Sequence, residues 1–223
     1  MVWGAALGAG AAALREFGVG PEAEARALVA STRTTDAFCD LYDTIDCYDI
    51  TGMKTDASYW QMAKFFFAQG GSIRCFGMSA RYAKVALRAV ESVLGDSEFK
   101  MPAAVEGCTS RLARRLGASE EHAIMAAGLA GGIGLAGGGC GALGAAMWLR
   151  GVGEMERGGK VGYRSPEAAA LIERFLPASN YEFECARIAG RSFEDLEDHA
   201  AWLDDGGCCA VLDVLAGEPV GVA

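Results

Sequence analysis

The stretch LAGGIGLAGGGCGALGAAMWLRG, residues 129–151, is apolar and rich in glycine, has no charge before Arg150, and holds a single cysteine, Cys140. It can be a membrane span, a linker, or a device that presents a sulfur. The uncharged run is longer still: Met125 to Leu149 makes 25 residues, enough for a transmembrane helix. Nine of the 25 are glycine, however, and only five are the Leu, Ile, Phe or Val that drive insertion. The run Gly137-Gly138-Gly139 would also be costly inside any helix. The pattern therefore predicts a helix from about Ser119 to Ala130, a glycine loop, and a new helix opening near Cys140. No membrane span is expected.

On that parse Cys140 lies in the first turn of a helix. Unpaired N–H groups and the positive dipole end favour thiolate over thiol there, so its pKa is expected below the ordinary value of about 8.5. Burial opposes this, because Leu135, Leu143, Met147 and Trp148 are close in sequence. The glycines leave room for backbone, ligand or a second sulfur to approach.

The rest of the chain supports a helical protein. At 223 residues it can form one large or two small domains, with 52% hydrophobic and 22% charged residues. A net charge of −9 repels phosphate backbones, which argues against nucleic acid as a partner. Proline is scarce, alanine abundant, and no β-type alternation runs long enough for a sheet. Helices are expected over Ser58–Gln69, Ser79–Leu94 and Pro102–Leu116, the last carrying Cys108. Another is expected from a Ser192/Asp195 capping box through Trp202, and a short one over Ala210–Ala216. Arg111, Arg114 and Arg115 read as one solvated helix face. His122 and His199 sit in acidic helices and read as surface residues.

Eight cysteines, at 39, 47, 75, 108, 140, 185, 208 and 209, stand against two histidines. No Lys or Arg precedes the apolar run MVWGAALGAGAAAL, so the charged start of a signal peptide is missing. The expected compartment is the cytoplasm, where many cysteines suggest metal or redox chemistry. The chain also resembles itself. CGALGAAMWLRGVG at 140–153 aligns with WGAALGAGAAALREFG at 3–18, and each tract precedes a proline-opened acidic helix and then further cysteines. This predicts a tandem repeat of a small cysteine-containing helical unit: a partial first copy over 1–97 and a complete one over 98–223.

Cys108, Gly139-Cys140-Gly141-Ala142-Leu143-Gly144, Cys185 and the Cys208-Cys209 pair, in that order, resemble the C-GCAxxG-C-C family, small helical proteins named for this pattern and assigned a redox role. The resemblance covers about residues 100–216, with Gly141 where the pattern has Ala and Trp3 where a first-copy cysteine would stand. It implies a working cluster of Cys108, Cys140, Cys185 and Cys208 or Cys209, with Gly139, Gly141 and Gly144 beside a bound group. Three chemistries stay open. The cysteines can hold an iron–sulfur cluster or Zn, with Cys108, Cys140, Cys185 and Cys209 as ligands, or form reversible disulfides. Adjacent Cys208 and Cys209 are too close for an unstrained disulfide, so their sulfurs should point apart. The expected function is a cysteine-based redox or electron-transfer protein acting on a redox partner protein or a small thiol, with a homo-oligomer in view. The alternative is a non-catalytic helical interaction module whose cysteines are core residues.

Overall fold

Local chemistry opens the helices where small polar residues can accept a backbone N–H. Ser119 accepts from His122, Ser165 from Ala168 and Asp195 from Asp198, while Ser58 and Gln61 form a reciprocal capping box. The computed structural model describes residues 1–54, 57–162 and 165–217. Its elements are α1 (Val2–Phe17), α2 (Pro21–Tyr42), α3 (Cys47–Thr51), α4 (Tyr59–Ala63), a π-helical turn (Lys64–Ala68) and α5 (Gly71–Leu94). There follow α6 (Cys108–Arg115), α7 (Glu120–Ala127), α8 (Gly141–Glu156), α9 (Pro166–Ala178), α10 (Cys185–Ala189), α11 (Leu196–Asp204) and α12 (Cys209–Ala216). The protein is all-α. Among the described residues the one β-type feature is an isolated bridge between Gly139 and Glu184. No helix among them is long and apolar enough to cross a membrane.

Three boundaries differ from the sequence reading, each for a local reason. α5 starts at Gly71, not Ser79, because Gly70 turns the chain into it with φ 71°; the glycine pair is a start and not a stop. α6 opens at Cys108, well after Pro102. The cap of α11 is Asp195 itself, not Ser192.

Two groups of helices share α7. α1 packs on α2, α2 on α5, and α7 lies against α1, α2 and α6. α6 then packs on α8, and α12 against α9, α6 and α8. The larger core, with Leu112, Leu149, Leu171, Phe175, Leu203 and Leu215, also contains Cys108 and Cys140. The smaller holds Val2, Ala6, Phe38, Met78 and Tyr82 with Leu129 and Ile133. Each large side chain so buried contributes roughly 1.5–3 kcal/mol.

Two arginines hold this frame. Arg26, buried on α2, donates to the Val93 and Leu94 carbonyls at the end of α5 (2.5 and 3.3 Å) and lies between the Phe17 and Phe99 rings. Arg114 is not part of a merely solvated face. It bridges Glu24 of α2 (2.8 Å), Glu106 (2.7 Å) and Glu120 (2.8 Å), and Glu24 is buried. Arg111 and Arg115 pair with Asp204 and Asp213, so the face ties α6 to α11 and α12.

Candidate functional site

The glycine loop is a strained left-handed turn. Gly131, Gly132, Ile133, Gly134 and Leu135 have consecutive φ values of 62, 78, 69, 61 and 62°. A left-handed L-residue costs roughly 1–2 kcal/mol, and a β-branched one is rare there. Such strain persists only where the surroundings over-determine it. Here wide backbone bonds close the turn: the N–H groups of Gly134, Gly137 and Gly138 donate to the carbonyls of Gly128, Gly131 and Gly132 (3.0, 2.9 and 3.1 Å). From α2, Ser31 Oγ donates to the Gly128 carbonyl at 2.6 Å and Thr35 Oγ1 to that of Ile133 at 3.5 Å.

The loop then stitches two cysteines together through their backbones. Cys140 N–H donates to the Phe183 carbonyl (2.7 Å), and Cys185 N–H donates to that of Gly138 (2.6 Å). Ala186 N–H donates to the Gly137 carbonyl at 3.0 Å. Each cluster cysteine also marks a helix start: Cys108 and Cys185 are the first residues of α6 and α10, and Cys140 and Cys208 precede α8 and α12.

The four thiols share one electrostatic neighbourhood. Burial pushes the Cys185 thiol up to about 12, helped by Cys140 and Cys208. It pushes Cys208 up to about 12 as well, helped by Cys108 and Cys140, with Cys209 adding to this. Cys108 moves up from burial, from Cys185 and from Cys140, against an N–H from Gly131. Every pairing among Cys108, Cys140, Cys185 and Cys208 is thus felt. Cys140 moves in the direction opposite to expectation. The N–H donors of Leu143 and Ala142 are in place and lower its pKa, but burial is larger and the net shift is upward. The helix start is present; the loop above it is closed.

The glycines beside Cys140 do not line a space for a bound group. A Cβ at Gly141 would overlap the Leu129 carbonyl oxygen, and one at Gly144 would overlap the Trp3 ring; at Gly139 it would meet that ring at 3.2 Å. They are close-packing residues, and no Cβ fits at Gly141. Cys208 packs against the main core while Cys209 is exposed, so of the pair Cys208 is the one turned inward. Elsewhere Cys47 is exposed, Cys75 half-buried, and Cys39 lies among Asp36, Asp40 and Asp43.

His199 was not recognised from the sequence. It is 1% exposed, its Nδ1 has no hydrogen-bond partner among the described residues, and its ring meets Phe193 edge-on at 4.8 Å. A Cβ at Gly107, the residue before Cys108, would stand 4.0 Å from that Nδ1. Burial, with Arg111 acting the same way and Asp198 the opposite, lowers its pKa to about 4, so it is neutral at pH 7. The available signal was its place on one stripe with Leu196, Ala200 and Leu203. His122 is half-buried, its Nδ1 3.0 Å from Ser119 Oγ.

All eight cysteines are free thiols. The donor set does not fit a metal or an iron–sulfur cluster: among the described residues no three His, Cys, Asp or Glu side chains come together so as to hold an ion. Compared with models of known protein families, with curated proteins and with solved structures, the chain matches none.

Proposed function

We propose that this chain is a cysteine-based redox protein of the C-GCAxxG-C-C type, working by thiol–disulfide exchange within the Cys108, Cys140, Cys185 and Cys208 cluster. The observation that supports it most is that four cysteines stand at four separate helix starts and each raises the pKa of others among them, whereas Cys39, Cys47 and Cys75 lie on other elements. The external disulfide belongs to a redox partner protein or a small thiol. Cys208 is the least buried of the four and meets it first. Its thiolate attacks one sulfur, forming a mixed disulfide and releasing one external thiol. A second cluster thiolate then attacks Cys208 Sγ, closing an internal disulfide and releasing the other. Two electrons and two protons leave the cluster, and one external disulfide becomes two thiols. Because burial raises the cluster pKa values, the resting form is the protonated, slowly reacting one, and exchange requires local opening.

The same burial favours a second reading, a helical interaction module whose cysteines fill its core. Oxidised glutathione under native conditions, followed by alkylation and peptide mapping, separates the two. Exchange chemistry gives an internal disulfide within the cluster that dithiothreitol reverses. Core cysteines stay reduced until the protein is unfolded.

A further inference from the structure

The first half carries a surface that its own fold leaves uncovered. α4, the π-helical turn and α5 expose Tyr59 and Trp60 (81% each), Phe67 (90%), Ile73 (80%), Phe76 (76%) and Leu87 (63%). The opposite face of α5 is already satisfied: Met78, Tyr82 and Ala86 are buried, and Tyr82 meets Phe38 of α2 edge-on at 4.8 Å. At helical spacing Ile73, Phe76 and Leu87 fall on one outward stripe with Ala80 and Ala83. Large apolar side chains left exposed together on one face mark an interaction site.

Charge says what covers it. Residues 57–88 contain Lys64, Arg74, Arg81, Lys84 and Arg88, all exposed, and no Asp or Glu. That segment carries +5 in a chain of net −9, so the remainder holds −14 (−9 minus +5). Asp43 and Asp49 share a groove with Arg74 and Arg81 and offset them in part, but Lys64, Lys84 and Arg88 add to the excess. Exposed Trp, Tyr and Phe among Lys and Arg is the composition that sits at a lipid headgroup boundary. A second copy docking through the same face would set these cations against themselves.

We infer that the face formed by α4, the π-helical turn and α5 binds an anionic lipid surface, with the aromatic side chains entering the headgroup region and the cations meeting lipid phosphates and carboxylates. The acidic remainder is repelled by the same surface and is held facing away. This inference is independent of the thiol reading, since it uses no cluster residue.

The test is sedimentation of the full chain with vesicles of phosphatidylcholine alone or mixed with phosphatidylserine, at low and high salt. The chain should bind the mixed vesicles, bind neutral ones more than about tenfold more weakly, and lose affinity as salt rises. Lys64→Gln/Lys84→Gln/Arg88→Gln and, separately, Trp60→Ser/Phe67→Ser/Phe76→Ser should each weaken binding more than about tenfold while helicity by circular dichroism stays unchanged. No binding of the unmodified chain to mixed vesicles overturns the inference, as does binding that neither folded variant reduces. A dimer in light scattering that the aromatic variant dissolves, with no vesicle binding, assigns the face to a second copy instead.

Discussion

The two halves run through similar elements and use their cysteines differently. α1 and α8 are both 16 residues long, proline opens both α2 and α9, and α3 and α10 are five-residue helices that begin at cysteine and end on a left-handed glycine, Gly52 or Gly190. From there the packing parts. α1 lies on the 22-residue α2, whereas the 13-residue α9 packs on α12. Trp3, aligned in sequence with Cys140, leaves no empty place beside it: its ring closes the space over Gly144. What ties Cys140 to Cys185 in the second half is the strained loop and its backbone bonds to residues 183–186.

That contrast can be broken at its glycines. In α8, Gly141→Ala pushes a methyl group into the Leu129 carbonyl and should cost at least about 3 kcal/mol, read as a fall in the urea midpoint. Across the seam between the halves, Arg114→Leu leaves Glu24 buried beside no cation and should cost about 3 kcal/mol by the same measurement.

An effect of similar size reports on His199 through pH. Its folded pKa of about 4 lies below the ordinary 6.5, so the fold favours the neutral ring. The associated stability is fully present above pH 6.5 and is lost as pH falls toward 4, by about 3 kcal/mol in all. Urea midpoints across that window should show the slope, and His199→Phe should flatten it. The smallest effect has the opposite sign. In α1, a Cβ at Gly8 meets nothing within 4 Å, so Gly8→Ala should stabilise by about 0.5–1 kcal/mol. If Gly8→Ala and Gly141→Ala moved stability alike, the glycines of the two halves would have the same role.

Patterns that act over one helix were legible in the sequence. The all-α fold followed from alanine content and the lack of β-type alternation, and the openings of α2 and α9 from their prolines. The break between α7 and α8 followed from glycine cost. The position of Cys140 at a helix start was legible; its raised pKa was not, because burial by distant elements outweighs two local donors. The left-handed run through Ile133 and Leu135 had no local signal either, since part of what holds the turn comes from Ser31 and Thr35, about a hundred residues away. The buried His199 was masked by the acidic residues around it, although its apolar stripe was in plain view.

The most direct test of the account compares the two sets of cysteines as redox units. One variant keeps Cys108, Cys140, Cys185 and Cys208 with the other four changed to serine; the second keeps Cys39, Cys47, Cys75 and Cys209. Both are equilibrated in glutathione buffers of graded potential, trapped by alkylation and weighed by mass spectrometry. The first should titrate as a two-electron couple with an internal disulfide, and the second should give only separate mixed disulfides with glutathione. If the first stays fully reduced in its native state, or if the two behave alike, these four cysteines are not a redox unit.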